Sequence, residues 1–294
     1  MRRGRGAARM RRGGGVARAL PGLVALAAGL GGCAPRVREQ AVAPAVADTA
    51  GSAVPDARFT YDQGGITRGP RDRKALALIF TGGSFAEGAT VILDALQERG
   101  VKASFFVTGD FIRTPEFDPY LRRMVAEGHY LGPHSDAHLL YAPWEERSRT
   151  LVTEAAFRTD LERNLDALAR YGLTREQLRF FIPPYEWYNE QIVAWAAAMG
   201  LVLFNYSPGT RSNADYMLDS DARFISSQQI YDSILAYEAA HADGLNGFLL
   251  LLHVGAGDGR TDKMHRLVGP LVDELARRGY AFLRVDQLLA GAAR

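Results

Sequence analysis

Residues 59–294 are predicted to form one α/β domain, a β/α barrel or a related fold built on a parallel sheet. Three observations predict this class. Short apolar runs alternate with amphipathic stretches, the connections between them are short, and most amphipathic stretches end at a glycine. Strands that alternate with helices through short connections are typical of βαβ units, whose strands run parallel.

Seven apolar runs have the length of strands and mark the predicted sheet. They cover residues 75–80, 103–107, 130–131, 180–182, 201–204, 247–252 and 281–285. The stretches between them have the spacing of helices with one apolar face. These are residues 89–99, 117–127, 153–171, 191–199, 229–239 and 263–278. A glycine follows five of the six, as at Gly100 and Gly279, where it adopts the left-handed C-cap conformation at little cost.

Composition excludes several classes of protein. The 294 residues are 47% hydrophobic and 23% charged, which is typical of globular chains and excludes disordered, collagen-like and multi-pass membrane proteins. Residues 1–32 hold seven of the 35 basic side chains and no acid, so the remainder carries 28 basic against 33 acidic side chains. A mildly acidic domain without a basic stripe argues against nucleic acid as a partner.

The N-terminal segment predicts export and a lipid anchor. Residues 1–32 combine an arginine-rich stretch with a short apolar run, the pattern of a signal peptide. Cys33, the only cysteine, follows Leu30-Gly31-Gly32 and resembles the lipid-modified cysteine of a bacterial lipobox; an incidental free thiol is the alternative. Residues 33–58 are predicted to be a flexible linker. We therefore expect a domain anchored to a membrane through the lipid, in the cell envelope, facing the periplasm or the cell exterior.

Three of the six histidines lie where the chain leaves predicted strands, and the carboxyl ends of parallel strands meet at one edge of a sheet. His134 and His138 are four residues apart, so their imidazoles can converge on one divalent cation; surface or capping histidines are the alternative. His253 ends a buried run. It is either a proton carrier near neutral pH or a core histidine bonded to a backbone carbonyl.

The stretch from Leu76 to Val285 resembles the polysaccharide deacetylases of the NodB-homology type. His134-Ser135-Asp136-Ala137-His138 resembles the second motif of that family, Pro183-Pro184-Tyr185 the third, and Leu251-Leu252-His253 the fifth. The resemblance implies a distorted (β/α) barrel of about seven parallel strands. It also implies removal of N- or O-acetyl groups from sugars in a polysaccharide or oligosaccharide.

The same resemblance implies roles for individual residues. His134 and His138 would bind a catalytic divalent metal, usually zinc. The backbone N–H of Tyr185 would hold the oxyanion, and His253 would be the general acid.

The first motif departs from the family pattern. Thr-Phe-Asp-Asp-Gly appears here as Ile79-Phe80-Thr81-Gly82-Gly83, without either aspartate. In the family these are the general base and the carboxylate metal ligand. The arginine that usually precedes the third motif is here Ile182. Either the site has been rebuilt around other acids, or hydrolysis has been abandoned and the pocket retained.

Glu186 is the first choice for the missing carboxylate, as metal ligand or general base, because it directly follows Tyr185. Its alternative role is to cap the helix that follows. Asp136 is the second choice. The other acids near strand exits are Asp110, Asp215 and Glu87.

Polar and aromatic residues near the fourth and fifth strand exits are predicted to bind the sugar. They are Arg211, Asn213, Asp215, Trp187 and Asn189.

The resulting hypothesis is a metal-dependent polysaccharide deacetylase. His134, His138 and Asp136 are the candidate metal ligands, and the candidate catalytic residues are His253, Glu186 and Tyr185. The alternative is a carbohydrate-binding lipoprotein on the same fold without turnover. A purely structural envelope protein would leave the three histidines unexplained.

Overall fold

Residues 56–292 are described by the structure, a computed structural model. The predicted signal peptide, Cys33 and nearly all of the linker lie outside the described residues, so those assignments stay predictions. Within residues 56–292, no helix has the length and apolar character needed to cross a membrane.

Nine strands form the sheets within residues 56–292. They are β1 (Thr60–Asp62), β2 (Gly65–Arg68), β3 (Ala75–Gly82), β4 (Ser104–Val107), β5 (Tyr130–Pro133), β6 (Phe180–Phe181), β7 (Val202–Leu203), β8 (Phe248–His253) and β9 (Ala281–Phe282). Strands β3 to β9 coincide with the seven apolar runs, and every pairing among them is parallel.

The barrel is distorted because its strands do not form one continuous sheet. Strands run in the order β5-β4-β3-β8, and β9 pairs with the first residues of β3. Strands β6 and β7 form a separate parallel pair. The two groups approach each other where the hydroxyl of Tyr130 accepts a hydrogen bond from the N–H of Phe180.

The hairpin of β1 and β2 is absent from the sequence prediction. It turns at Gln63 and Gly64, which have φ angles of 48° and 81°, as a two-residue hairpin of type I′ requires. Ile66 in β2 forms a parallel bridge with Phe204. The hairpin therefore covers the side of the barrel between β7 and β8.

Eight α-helices accompany the strands of the described chain, and the last of them follows β9. They are α1 (Ala89–Glu98), α2 (Gly109–Arg113), α3 (Asp118–Ala126), α4 (Glu154–Ala169), α5 (Glu190–Ala198), α6 (Ser227–Ala240), α7 (Val268–Arg277) and α8 (Val285–Leu288). The six long helices match the six amphipathic stretches to within a few residues. Predicted strand 281–285 ends early because Val285 begins α8.

Alternate residues of β3 face two different cores, because successive side chains of a strand point to opposite faces. Leu78 and Phe80 pack outward against the helices, and Ala77 and Ile79 pack inside the barrel. Thr81 is the next inward position and lies at the carboxyl end of the barrel. The fold thus brings the first-motif residues to the edge where the predicted site lies.

Candidate active site

A cavity of about 670 Å³ opens at the carboxyl ends of the strands. Its walls contain most of the residues that the motifs single out: Thr81, Gly82, His134, His138, Tyr185, Glu186 and His253. The structure therefore brings together side chains from four strand exits.

His134 and His138 form one wall of this cavity, with ring centroids 5.1 Å apart. Nδ1 of His134 lies 2.9 Å from the carbonyl oxygen of Ile182, which favours the Nδ1–H tautomer and leaves Nε2 as an acceptor. Burial holds the pKa of His134 well below its usual range and lowers the pKa of His138 to about 4. Both imidazoles are therefore neutral near pH 7, as metal ligation requires.

The third metal ligand of the family has no counterpart in the described chain. The carboxylate of Asp136 pairs with Arg113 at 2.5 Å and lies outside the cavity walls. Residues 56–292 contain no group of three His, Cys, Asp or Glu side chains arranged for a metal ion. Catalytic zinc sites use three protein ligands, so these residues, as they stand, do not complete such a site.

Packing explains why Gly82 occupies the position of the family's carboxylate ligand. A Cβ on Gly82 would lie 2.9 Å from two ring atoms of Phe111 and 3.3 Å from Val107. Both neighbours are fully buried. An aspartate at this position would require the Phe111 ring to move, and closely packed cores resist such movement.

His253 is paired with Asp215. Its Nδ1 lies 2.6 Å from Oδ1 of Asp215, and its backbone N–H donates to Oδ2 at 2.9 Å. Burial opposes protonation of His253, but the charge and hydrogen bond of Asp215 outweigh it, and the pKa of the imidazole is raised. The sequence predicts a sugar-binding role for Asp215, whereas the structure places both its carboxylate oxygens on His253.

Glu186 places a carboxyl group in the same cavity. Burial raises the pKa of Glu186 to about 7, with an opposing effect from the charge of His253. Its carboxyl oxygens form no hydrogen bond or ion pair with any described residue. The helix-capping alternative is wrong, because Asn189 caps α5 by accepting the N–H of Ile192. Glu186 is thus free to act on a ligand.

Backbone strain is concentrated around this cavity. Five non-glycine residues of the described chain have positive φ, and four of them are Ser135, His138, Tyr185 and Glu186. The carbonyl of Glu186 accepts a hydrogen bond from Nδ2 of Asn205, 2.8 Å away, which supports the strained turn. Left-handed conformations at such residues cost of order 1–3 kcal/mol each and cluster at functional sites.

Exposed aromatic and aliphatic side chains surround the cavity mouth. Five of the seven large apolar residues exposed on the described chain line the cavity: Phe85, Trp144, Tyr185, Tyr216 and Leu218. We call these five the apolar rim. The ring of Trp144 lies 6.0 Å from that of Tyr185 and 5.4 Å from that of Trp187. No sequence signal singled out Phe85, Trp144 or Leu218 of the rim.

The other predicted sugar-binding residues lie outside the cavity walls. Trp187 donates its indole N–H to the carbonyl of Pro143, and its ring packs against that of Trp144. Asn189 is buried at the start of α5. Arg211 and Asn213 also line no part of the cavity.

Two further acids near the strand exits have structural partners. The carboxylate of Glu87 accepts hydrogen bonds from the N–H groups of Ala256 and Gly257 and from Lys263, and so holds the loop after β8. Asp110 pairs with Arg113 at 2.9 Å.

This barrel, with a histidine–aspartate pair and a half-buried carboxyl group at its strand ends, has the architecture of an acid–base hydrolase. A family model described as polysaccharide deacetylase matches residues 68–204. This match, like the motifs, assigns the chain a similarity to polysaccharide deacetylases.

Individual comparisons agree with this assignment. A peptidoglycan-N-acetylglucosamine deacetylase of Bacillus cereus is 26% identical over 215 residues, which cover 71% of this chain and 67% of the relative. The crystal structure of a peptidoglycan N-acetylglucosamine deacetylase in complex with 4-naphthalen-1-yl-N-oxidanyl-benzamide superimposes with a TM-score of 0.60 at 22% identity, covering 76% of this chain and 91% of that one.

A third similar structure is described as a pseudoenzyme of carbohydrate esterase family 4 from Bacillus anthracis. It has a TM-score of 0.58 and 18% identity, and the match covers 78% of this chain and 70% of that one. A mutant of that protein is described as having restored enzymatic activity. These likenesses confirm the predicted fold, a distorted barrel of the polysaccharide deacetylase type.

Proposed function

We propose that this domain hydrolyses acetyl groups on a carbohydrate, using Glu186 as general base and His253 as general acid. One observation carries the proposal. The carboxyl group of Glu186, with a pKa of about 7, shares a cavity with the His253–Asp215 pair. Two titratable groups held in different environments within one cleft are the usual basis for acid–base assignments.

The proposed reaction begins with water. Glu186 is partly ionised near pH 7 and accepts a proton as the water oxygen bonds to the acetyl carbonyl carbon. The backbone N–H of Tyr185 is the predicted donor to the oxyanion. His253 then donates its Nε2 proton as the carbon–nitrogen or carbon–oxygen bond breaks, which releases acetate and the amine or alcohol. Asp215 holds the imidazole with Nδ1 protonated throughout.

Metal dependence remains a separate prediction. His134 and His138 supply two neutral nitrogen donors but do not by themselves complete a site for a divalent cation, whose chemistry would be to polarise a carbonyl. No step above uses a cation, because the third protein ligand is missing. Without a metal, the free Nε2 of His134 can accept a hydrogen bond from a substrate hydroxyl or amide.

The substrate we propose is a polymer that contains N-acetylglucosamine. The name of the Bacillus cereus relative supports this choice, and the apolar rim offers aromatic faces to a sugar ring. The predicted lipid on Cys33 would hold the domain in the cell envelope, where a polymer of this kind is within reach of the cavity.

Acetate release tests the proposal. The purified full chain is incubated with an N-acetylglucosamine oligosaccharide, once with zinc and once with a chelator, and acetate is measured. We expect release by the wild type and at least a hundred-fold less by Glu186→Gln and His253→Asn. Glu145→Gln, a change at an exposed carboxylate outside the cavity, is the control.

A second candidate function is carbohydrate binding without turnover. The missing third metal ligand and the absence of both first-motif aspartates favour it, and so does the likeness to a protein described as a pseudoenzyme. Oligosaccharide binding by the wild type with no acetate release under either condition would support this second function. Acetate release by Thr81→Asp alone would show that the missing base is what prevents turnover.

A further inference from the structure

We propose that Arg260 is a positioning residue that holds Asp215 against His253. Arg260 is fully buried, at 0% exposure. Its guanidinium does not contact His253. It lies between the loop that follows β8 and the loop 215–226, whose first residue is Asp215.

The hydrogen bonds of Arg260 join these two loops. Nη1 donates to the carbonyl of Met217 at 2.9 Å, and Nη2 donates to the carbonyl of Ile225 at 2.9 Å. Nε donates to the carbonyl of Asp262 at 2.6 Å, within its own loop. The planar guanidinium provides donors in a fixed fork, which a lysine ammonium cannot reproduce.

The loop 215–226 has little regular structure of its own, so these contacts help to fix its position. The guanidinium of Arg260 also stacks on the Phe224 ring, 4.7 Å from its centroid. Outside Arg260, the two loops are joined through Asp219, which accepts hydrogen bonds from Thr261 and donates its N–H to the carbonyl of Gly259. Ser227, at the start of α6, also donates hydrogen bonds to Asp262. Among residues 56–292, Arg260 is the only side chain that bonds both ends of the loop, at Met217 and Ile225.

Two parts of the cavity depend on where this loop lies. Asp215 is two residues from the carbonyl that Arg260 binds at Met217. Tyr216 and Leu218 belong to the apolar rim, and the Tyr216 ring lies 5.2 Å from that of His253. Losing Arg260 would therefore release the partner of His253 and one wall of the cavity together.

The direction in which the pKa of His253 changes distinguishes a positioning role of Arg260 from a direct effect of its charge. The carboxylates of Asp215 and Glu186 raise the pKa of His253, and His134 and His138 interact with it by charge. Other titratable side chains around His253 are Asp110, Tyr216 and Asp221 in the cavity, and Lys263 and His265 on its other side. Removing a nearby cation would, by electrostatics alone, raise the pKa of His253. Displacing Asp215 would lower it, because the imidazolium would lose its carboxylate partner.

The experiment is a pH titration of the His253 ring by NMR on the full chain, without substrate. We expect Arg260→Met to lower the pKa of His253 by about one pH unit, toward the value in Asp215→Asn. Arg260→Lys should lower it by a smaller amount, and it provides the measurement if the methionine variant does not fold. A wild-type or raised pKa in both variants would overturn the proposal.

Arg68→Met is the matched control. Arg68 is also buried, bonds the carbonyls of Asn246 and Gly244, and stacks on the Phe248 ring. Its loss should destabilise the fold and leave the pKa of His253 unchanged. An equal shift in both methionine variants would contradict a positioning role. Only the expected effect of Arg260 on turnover rests on the proposed function. The pKa of His253 can be measured whether or not the protein releases acetate.

Discussion

Asp215 makes two contacts with a single residue, His253. One carboxylate oxygen lies 2.6 Å from Nδ1 of the imidazole, and the other accepts the backbone N–H of His253 at 2.9 Å. The carboxylate therefore fixes both the ring and the end of β8. This arrangement makes Nε2 the atom that can exchange a proton with a ligand.

Asp215→Asn should lower kcat for acetate release by about 10²- to 10⁴-fold, because the amide cannot stabilise the imidazolium or fix its tautomer. Steady-state kinetics with circular dichroism would measure the loss and confirm folding. Asp243→Asn, at a surface ion pair with Arg71, should keep the wild-type kcat. An Asp215→Asn enzyme as fast as the wild type would show that the pair has no role in turnover.

Glu186→Gln should stabilise the fold at high pH. Burial raises the pKa of Glu186 from 4.5 to about 7, so the folded state binds this proton more tightly than the unfolded state does. The resulting contribution to the free energy of unfolding is complete below pH 4.5 and is lost as the pH rises through 7. The variant should gain about 1–3 kcal/mol relative to wild type between pH 4.5 and pH 8.5.

Urea unfolding at several pH values measures that difference. Glu145→Gln, at an exposed side chain, should show no comparable pH dependence. A Glu186→Gln difference that is constant with pH would mean that the carboxyl group is well solvated in the folded protein.

Gly82→Ala and Gly83→Ala test the packing at the first motif. A Cβ on Gly82 would meet the Phe111 ring at 2.9 Å, whereas a Cβ on Gly83 has no atom within 4 Å. We expect Gly82→Ala to cost about 1–3 kcal/mol through overpacking, and Gly83→Ala to change stability by less than about 0.5 kcal/mol. Equal effects in thermal unfolding would refute the steric account.

Trp144→Ala should weaken binding of an N-acetylglucosamine oligosaccharide by about ten-fold, roughly 1.4 kcal/mol, through loss of an aromatic face. Trp144 is 55% exposed at the cavity mouth, and Leu151 is 44% exposed outside it. Leu151→Ala is therefore the control and should leave affinity unchanged in calorimetry. Equal affinities for wild type and Trp144→Ala would exclude the rim as the sugar site.

The sequence predicted the sheet well because a buried strand appears in the sequence as a continuous apolar run. The apolar run of β3 and the glycines after the helices depend only on neighbouring residues, and parallel topology then places His134 and His253 at one edge. Asn189 also had a readable signal, since an Asn-Glu pair before an apolar stretch is an N-cap pattern.

Pairings across the fold had no such signal. Asp215 and His253 are 38 residues apart, and Asp136 and Arg113 are 23 apart. The sequence shows that these charges exist but does not indicate which partner neutralises them. Trp144 lies late in the loop between β5 and α4, after the histidines at the exit of β5, and no local pattern indicated that it lines the cavity.

The pH dependence of kcat/KM tests the central claim most directly, since it reports the ionisations of the free enzyme. Base catalysis by Glu186 and acid catalysis by His253 predict a bell-shaped profile. Its acidic limb has a midpoint near pH 7, the pKa of Glu186, and its alkaline limb follows deprotonation of His253. Activity that stays constant down to pH 5, or rises steadily with hydroxide concentration, would contradict the assignment of Glu186 and His253.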